Sequence, residues 1–510
     1  MNIKKIVQNT MVMYMRMFIT IGISFFTTRI ILEELGDVDF GIFNLIIGLV
    51  AMLSFLKGSM AISTQRFLSF YQGKKDLIKQ RLVFLNSLFI HLVLALLIYM
   101  ILEFSGIFFF ESILKIPVNR LDESKYIFHL VSLAIFISII SLPFIGSINA
   151  HEDLGVIALI QIFEVLLKLV SALFISIITF DKLIYFGWSY LVINGVVFIC
   201  YAFKCMSTYD ECRFSKNLKI DKHTIKELTG FSVWNLVGAV TGLAKTQGMA
   251  ILLNSFFGVV VNSSFAVASQ VSNQMTFFST NLLKSINPQI MKSEGQGNRK
   301  EMFQLAMKAS KFSFFLLAIF AIPSMFLIDE ILGLWLKKTP EDAGLFCIII
   351  LTAILLDQLT IGLSSANQAI GKIKDYMLIT GMIKLLILPV GFILLKSGLS
   401  KYTVLVGYAF FEGLAGISRI IMLNKIGGLP IYDFLKNVIV KSIIPIGLSL
   451  LMIFTIQIVT SDFGLKIYLL PVYVLVVFAF TISLGLSNSE KMLIFNQISR
   501  LKQRFITTQT

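Results

Sequence analysis

The sequence predicts an all-α polytopic membrane protein. We read about fourteen transmembrane helices, set as two six-helix lobes in parallel repeat plus two C-terminal helices. Three observations carry this: composition, a serial run of apolar segments, and landmarks that recur at a fixed offset. Of 510 residues, 56% are hydrophobic and only 14% are charged, and the mean hydropathy is +0.85. A soluble chain of this length would divide into several domains with polar surfaces. Here apolar runs of about 18–25 residues follow one another, the length that crosses a hydrocarbon core. They centre near residues 20, 52, 93, 138, 166, 195, 242, 273, 317, 355, 385, 412, 448 and 475. Backbone inside lipid must satisfy its own hydrogen bonds, so these runs are helices.

The N-terminal stretch "MNIKKIVQNT" carries two lysines and no small-residue cleavage site, and reads as a retained cytoplasmic end. Alternating from there, the inner segments include "QGKKDLIKQR" (72–81), "STYDECRFSKNLKIDKHTIKE" (207–227), "KSEGQGNRKE" (292–301), "GKIKD" (371–375) and the tail "RLKQRF" (500–505). The outer ones include "EELGDVDFG" (33–41), "FDKL" (180–183) and "WLKKTPEDAG" (335–344). Lysine and arginine favour the first set, the bias of a multi-pass bacterial inner-membrane protein with both termini in the cytoplasm. The net charge of +15 is thus mostly a topology signal. It is spread over short loops rather than gathered on a nucleic-acid-binding face.

Several classes are disfavoured by what the loops and motifs lack. The connections reach about 20–25 residues, too short for a separate catalytic domain, so we expect no enzyme and no catalytic residues. No GxxxxGK[ST] loop encodes ATP-driven export. The cysteines, Cys200, Cys205, Cys212 and Cys347, form no CxxC spacing, so neither a metal site nor a disulfide framework is expected, and no cofactor.

The repeat shows in two pairs of segments. "RIILEELGDVDFGIF" (29–43) matches "AILLNSFFGVVVNSSFAV" (250–267), each a helix end, a glycine turn and a new helix. "QRFLSFYQGKKD" (65–76) matches "PQIMKSEGQGNRKE" (288–301), each a helix end, a glycine and a basic cluster. Gly36 and Gly258 are 222 residues apart, and Gly73 and Gly297 are 224 apart. Six helices per repeat is an even number, so both copies enter the membrane from one side. This gives an N-terminal lobe at 1–222, a C-terminal lobe at 223–428, and two added helices with a tail at 429–510.

The stretches "TTRIILEELGDVDFGIFNLI" (27–46) and "STQRFLSFYQGKKD" (63–76), within a six-plus-six-plus-two layout, resemble Wzx-type O-antigen and polysaccharide flippases. These belong to the multidrug/oligosaccharidyl-lipid/polysaccharide exporter superfamily. The resemblance implies two lobes around a cavity lined by helices 1, 2, 7 and 8. It also implies the function: moving undecaprenyl-pyrophosphate-linked oligosaccharide, an O-antigen or capsule repeat unit, across the bacterial inner membrane. Implied partners are that lipid-linked substrate, membrane lipid, and the polymerase and glycosyltransferases of the same pathway, with no nucleic acid.

On this reading the cavity helices carry Arg16, Arg29, Lys57, Arg66, Lys245 and Lys284 and no Asp or Glu at all. Charge in a bilayer is costly and faces water or a partner. Six cations without an anion point to a missing anion, which a lipid pyrophosphate would supply through charge-assisted hydrogen bonds. Arg29, Arg66 and Lys284 sit near helix ends, where snorkelling to the headgroups competes with that role. Glu164 and Lys168 are four apart and can pair on one helix face. Asp357, Lys384 and Glu412 can form a second network. Glu164, Lys168, Asp357 and Glu412 are therefore candidates for coupling to H+ or Na+. The competing readings are a cation-coupled multidrug antiporter of the same superfamily and a lipid II flippase.

Overall fold

The computed structural model describes residues 3–51, 54–108, 110, 116–213, 220–336, 339–460, 466–488 and 490–492. The basic tail at 500–505 and the Lys57 side chain lie outside the described residues. Among the described residues the chain is helical throughout and holds no strand.

Among the described residues twelve helices are long and apolar enough to cross a membrane. Interleaved with two more polar ones they give, in chain order, α1 (Gln8–Gly36), α2 (the two segments Val38–Gly48 and Ser54–Gly73), α3 (Leu77–Gly106), α4 (Val118–Ala150), α5 (Leu154–Ile177), α6 (Lys182–Thr208) and α7 (Lys222–Gly258). Then follow α8 (259–295), α9 (Arg299–Phe326), α10 (Ala343–Ile370), α11 (Ile373–Lys396), α12 (Lys401–Gly427), α13 (Ile431–Val459) and α14 (Lys466–Gly485). The expected fourteen therefore resolve into twelve apolar spans plus α2 and α8. Those two are rich in Ser, Thr, Asn and Gln, as in "STQRF" and "NQMTFFSTN", which lowers their hydropathy below that of a lipid-facing helix.

The α1–α2 and α7–α8 junctions are glycine turns of one kind. Gly36 has φ 75° and ψ 169°, and Gly258 has φ 76° and ψ −170°. This corner of backbone space is open essentially to glycine alone. The second expected landmark shifts by two residues. The left-handed residue after α2 is Lys75 (φ 57°), and its counterpart after α8 is Gly297 (φ 76°), also 222 residues on. Each turn closes alike, with Asp76 N donating to Tyr71 O at 3.1 Å and Asn298 N donating to Ser293 O at 2.9 Å. Gly73 thus corresponds to Gly295, and the pairing of Gly73 with Gly297 is replaced. A third correspondence is a break inside a span. α4 breaks at Ser141, where Pro143 follows, and α10 breaks between Gln358 and Ile361.

Contacts divide the chain into two compact units, Gln8–Leu236 and Val237–Thr510, with Met1–Val7 grouped with the latter. The first unit packs Ile46, Ile127, Val131, Ile139 and Ala172 into one buried cluster. The second holds several clusters, among them one around Ile290, Met302, Ala306 and Leu363 and another around Phe315, Ile453 and Tyr473 that takes in α13 and α14. In the second unit Gly362 sits at a close crossing, where an added Cβ would collide with Ala306 O. Its N–H donates to Ser310 Oγ at 3.0 Å. The start of the second half of α10 is thereby seated on α9.

Each unit is clamped near the ends of its helices. In the first, Arg120 reaches both Asp39 and Asp181, and Lys182 reaches Glu34 at 2.9 Å. In the second, Asp342 accepts from Lys401 and Tyr402. Arg120 and Asp342 are again 222 residues apart, so the clamp is repeated with its charges reversed.

Candidate functional site

Each unit carries a charge cluster at mid-span. In the first, Arg16, eight residues into α1, donates through Nη1 to Gln161 Oε1 on α5. Glu164 lies one turn further along α5 and receives Lys168 at 2.6 Å. Tyr201 of α6 is within electrostatic reach of both Arg16 and Glu164. The first partner found for Arg16 is thus a neutral amide. Its Nε is enclosed and has no hydrogen-bond partner among the described residues.

The second unit gathers a larger set from α7, α10, α11 and α12. Lys245 of α7 donates to Glu412 Oε1 of α12, and its Nζ stands 4.2 Å from the centroid of Tyr408. Lys384 of α11 bridges two acids, 2.7 Å from Glu412 Oε2 and 3.0 Å from Asp357 Oδ1. Arg419 donates from Nη2 to Asp357 Oδ1 at 2.7 Å, and from Nη1 to Asp357 O at 3.2 Å and Thr360 Oγ1 at 3.0 Å. At the break in α10 that carbonyl accepts from Thr360 N at 3.2 Å, and the guanidinium adds a second donor. Asp357, Lys384 and Glu412 meet, which the sequence left open.

The idea of six cations without an anion is corrected at two of them. Lys245, only 9% exposed, is neutralised by Glu412, an acid from α12, outside the helices searched. Arg29 pairs with Glu33 of its own helix at 2.9 Å, because α1 runs on through the acids first read as a loop. That pair is exposed, with 75% of the arginine side chain accessible. Arg66 is buried, its guanidinium 4.4 Å, 4.9 Å and 5.4 Å from the ring centroids of Phe67, Phe70 and Phe231. Lys284 is exposed on α8. Beside Arg29 a groove of about 610 Å³ runs along one face of α1, against Thr20, Ser24 and Thr28.

Sequence reasoning did not single out Arg419. A signal was present: it follows Glu412 by seven residues, so the two share a helix face. Two further pairs also passed unnoticed, Arg120 with its two aspartates and the buried pair of Lys311 with Glu490 at 2.6 Å. Among the described residues no group of three or more His, Cys, Asp or Glu side chains could hold a metal ion.

No protein-family model and no curated protein matches the sequence. Solved structures do match. A point mutant of a MATE transporter, proline replaced by alanine, superposes with a TM-score of 0.72 at 15% identity, covering 84% of this chain and 96% of the other. An outward-facing multidrug resistance MATE family transporter of the MOP superfamily gives 0.71 at 15%, with the same coverage. The fold is that of the MATE transporters. A MOP superfamily transporter from Pyrococcus furiosus, described as having a binding pocket of reverse polarity that suggests a different function, gives 0.69 at 14%, again over 84% and 96% of the two chains. Identities this low establish the MATE fold and leave the cargo to be argued from the residues.

Proposed function

We propose that this chain is a flippase for an undecaprenyl-pyrophosphate-linked oligosaccharide, an O-antigen or capsule repeat unit, in the bacterial inner membrane with both termini cytoplasmic. The observation that carries the reading is the state of the mid-span acids. Glu164, Asp357 and Glu412 are each held by a lysine or arginine. In each cluster cations outnumber acids: Arg16 and Lys168 against Glu164, and Lys245, Lys384 and Arg419 against Asp357 and Glu412.

An exporter of cationic drugs needs an acid that its cargo or a coupling ion can reach. Here the acids are occupied and the surplus is positive, which suits an anionic headgroup. In this proposal Arg16 and Lys57 meet the diphosphate, and Arg66 and Lys284 supply the positive field that draws it in, while Arg29 and Lys245 are spent on Glu33 and Glu412. The multidrug names of the solved neighbours belong to those proteins, and at 15% identity they carry no cargo to this one.

The test is reconstitution. Purified protein in liposomes should move a fluorescent polyprenyl-diphosphate sugar between leaflets, and its gene should restore surface polysaccharide to a flippase-null strain. Movement of a cationic dye with none of the polyprenyl lipid would overturn the reading.

A further inference from the structure

The second unit's cluster holds one more positive charge than it holds acids. Lys245, Glu412 and Arg419 are each less than a tenth exposed. An enclosed surplus charge is costly where the dielectric is low. The geometry also leaves donors idle. Tyr376, Thr380 and Lys384 recur every fourth residue along one face of α11, and Glu412, Gly416 and Arg419 line one face of α12. Lys384 meets Glu412, so in helices running in opposite directions Tyr376 comes to lie by Arg419, and the two are within electrostatic reach.

Arg419 uses Nη1 and Nη2 on Asp357 and Thr360, while its Nε has no hydrogen-bond partner among the described residues. The Tyr376 hydroxyl likewise has none, on a side chain only 2% exposed. Two idle donors at that depth each forfeit a hydrogen bond's worth of solvation. A neutral water would satisfy the donors and leave the surplus charge in place. A small anion would do both.

We propose that a halide-sized monovalent anion binds in the second unit between Arg419 Nε and the Tyr376 hydroxyl, balancing the charge of Lys245, Lys384 and Arg419 against Asp357 and Glu412. The site is intrinsic to one unit and does not depend on the identity of the cargo. Its occupancy sets how firmly α10, α11 and α12 hold together.

The experiment is thermal unfolding of the detergent-purified full chain, read by tryptophan fluorescence, with chloride titrated against gluconate at constant ionic strength. Chloride should raise Tm saturably, and bromide should substitute. Tyr376→Phe keeps the ring and removes one donor, so half-saturating chloride should rise about tenfold or more. Lys245→Met removes the surplus charge and should flatten the response. Equal Tm in the two salts overturns the proposal, as does a saturable chloride effect that Tyr376→Phe leaves unshifted, which would mark an adventitious ion only.

Discussion

Arg419 grips Asp357 twice, once by the carboxylate at 2.7 Å from Nη2 and once by the backbone carbonyl at 3.2 Å from Nη1. The residue next to the break in α10 is thus the residue that binds α12. Removing one partner leaves a buried charge uncompensated, which costs about 3–5 kcal/mol. Asp357→Asn should therefore lower the thermal stability of the purified protein sharply. A double substitution, Asp357→Asn with Arg419→Met, should recover part of that loss. A single Asp357→Asn variant as stable as wild type would show that the grip is not structural.

The glycine turns offer a cleaner test of the repeat. Alanine in place of Gly258 must adopt φ 76° and ψ −170°, at about 1–3 kcal/mol. Gly242 lies in the helical body of α7 with nothing within 4 Å of an added Cβ. There alanine should gain up to about 1 kcal/mol. Opposite shifts in Tm for the two alanine variants are the expected result, and Gly36→Ala should behave like Gly258→Ala.

Much of the fold was legible because a bilayer turns length and hydropathy directly into helices. The turn at Gly36 and Gly258 was legible because only glycine fits it. The two-residue slip at the next landmark arose because Lys75 adopts a left-handed turn that its sequence does not advertise. The clusters were half legible. Glu164 with Lys168 is a local spacing, readable on one helix. Lys245 with Glu412 joins helices 167 residues apart, and only the packing of α7 against α12 reveals it. The same holds for Arg120, whose partners lie 81 and 61 residues away.

The Asp342 clamp of the second unit gives a pH signature. Hydrogen bonds from Lys401 and then Tyr402 hold the Asp342 carboxyl below its usual 3.8, against a smaller opposing effect of burial. A depressed carboxylate stabilises the fold above its unfolded value and loses that contribution as pH falls through the folded one. Asparagine tolerates the left-handed φ of 65° that Asp342 adopts, so replacing one by the other leaves the backbone unstrained. The Tm difference between wild type and Asp342→Asn should therefore be constant near neutrality and shrink below pH 3.8. A difference that grows on acidification would refute the assignment.

Glu164 and Lys168 separate pairing from ion coupling. If the pair only neutralises itself, Glu164→Gln with Lys168→Met should keep transport, since both charges leave together. Glu164→Gln alone should weaken it moderately by leaving Lys168 unpaired. We expect that order. A double variant that folds, inserts and fails to transport would make Glu164 the carrier of a coupling ion.

The sharpest prediction concerns Arg16. Its described partner is the amide of Gln161, so its charge is not spent on a carboxylate, and its Nε remains available. If a diphosphate headgroup draws on that charge, the effect of substitution should follow the sign of the new residue more than its shape. Arg16→Lys should retain most export, because an ammonium still attracts phosphate oxygens at a site that must also release them. Arg16→Gln should export less, by about tenfold if one charge-assisted hydrogen bond is lost. Arg16→Glu should be worst: the carboxylate repels the headgroup, competes with Glu164 for Lys168, and leaves the first unit's cluster with two acids and one cation. The measurement is surface polysaccharide restored to a flippase-null strain, divided by the amount of folded protein in the membrane. Export by Arg16→Glu equal to wild type would show that Arg16 merely braces α1 against α5.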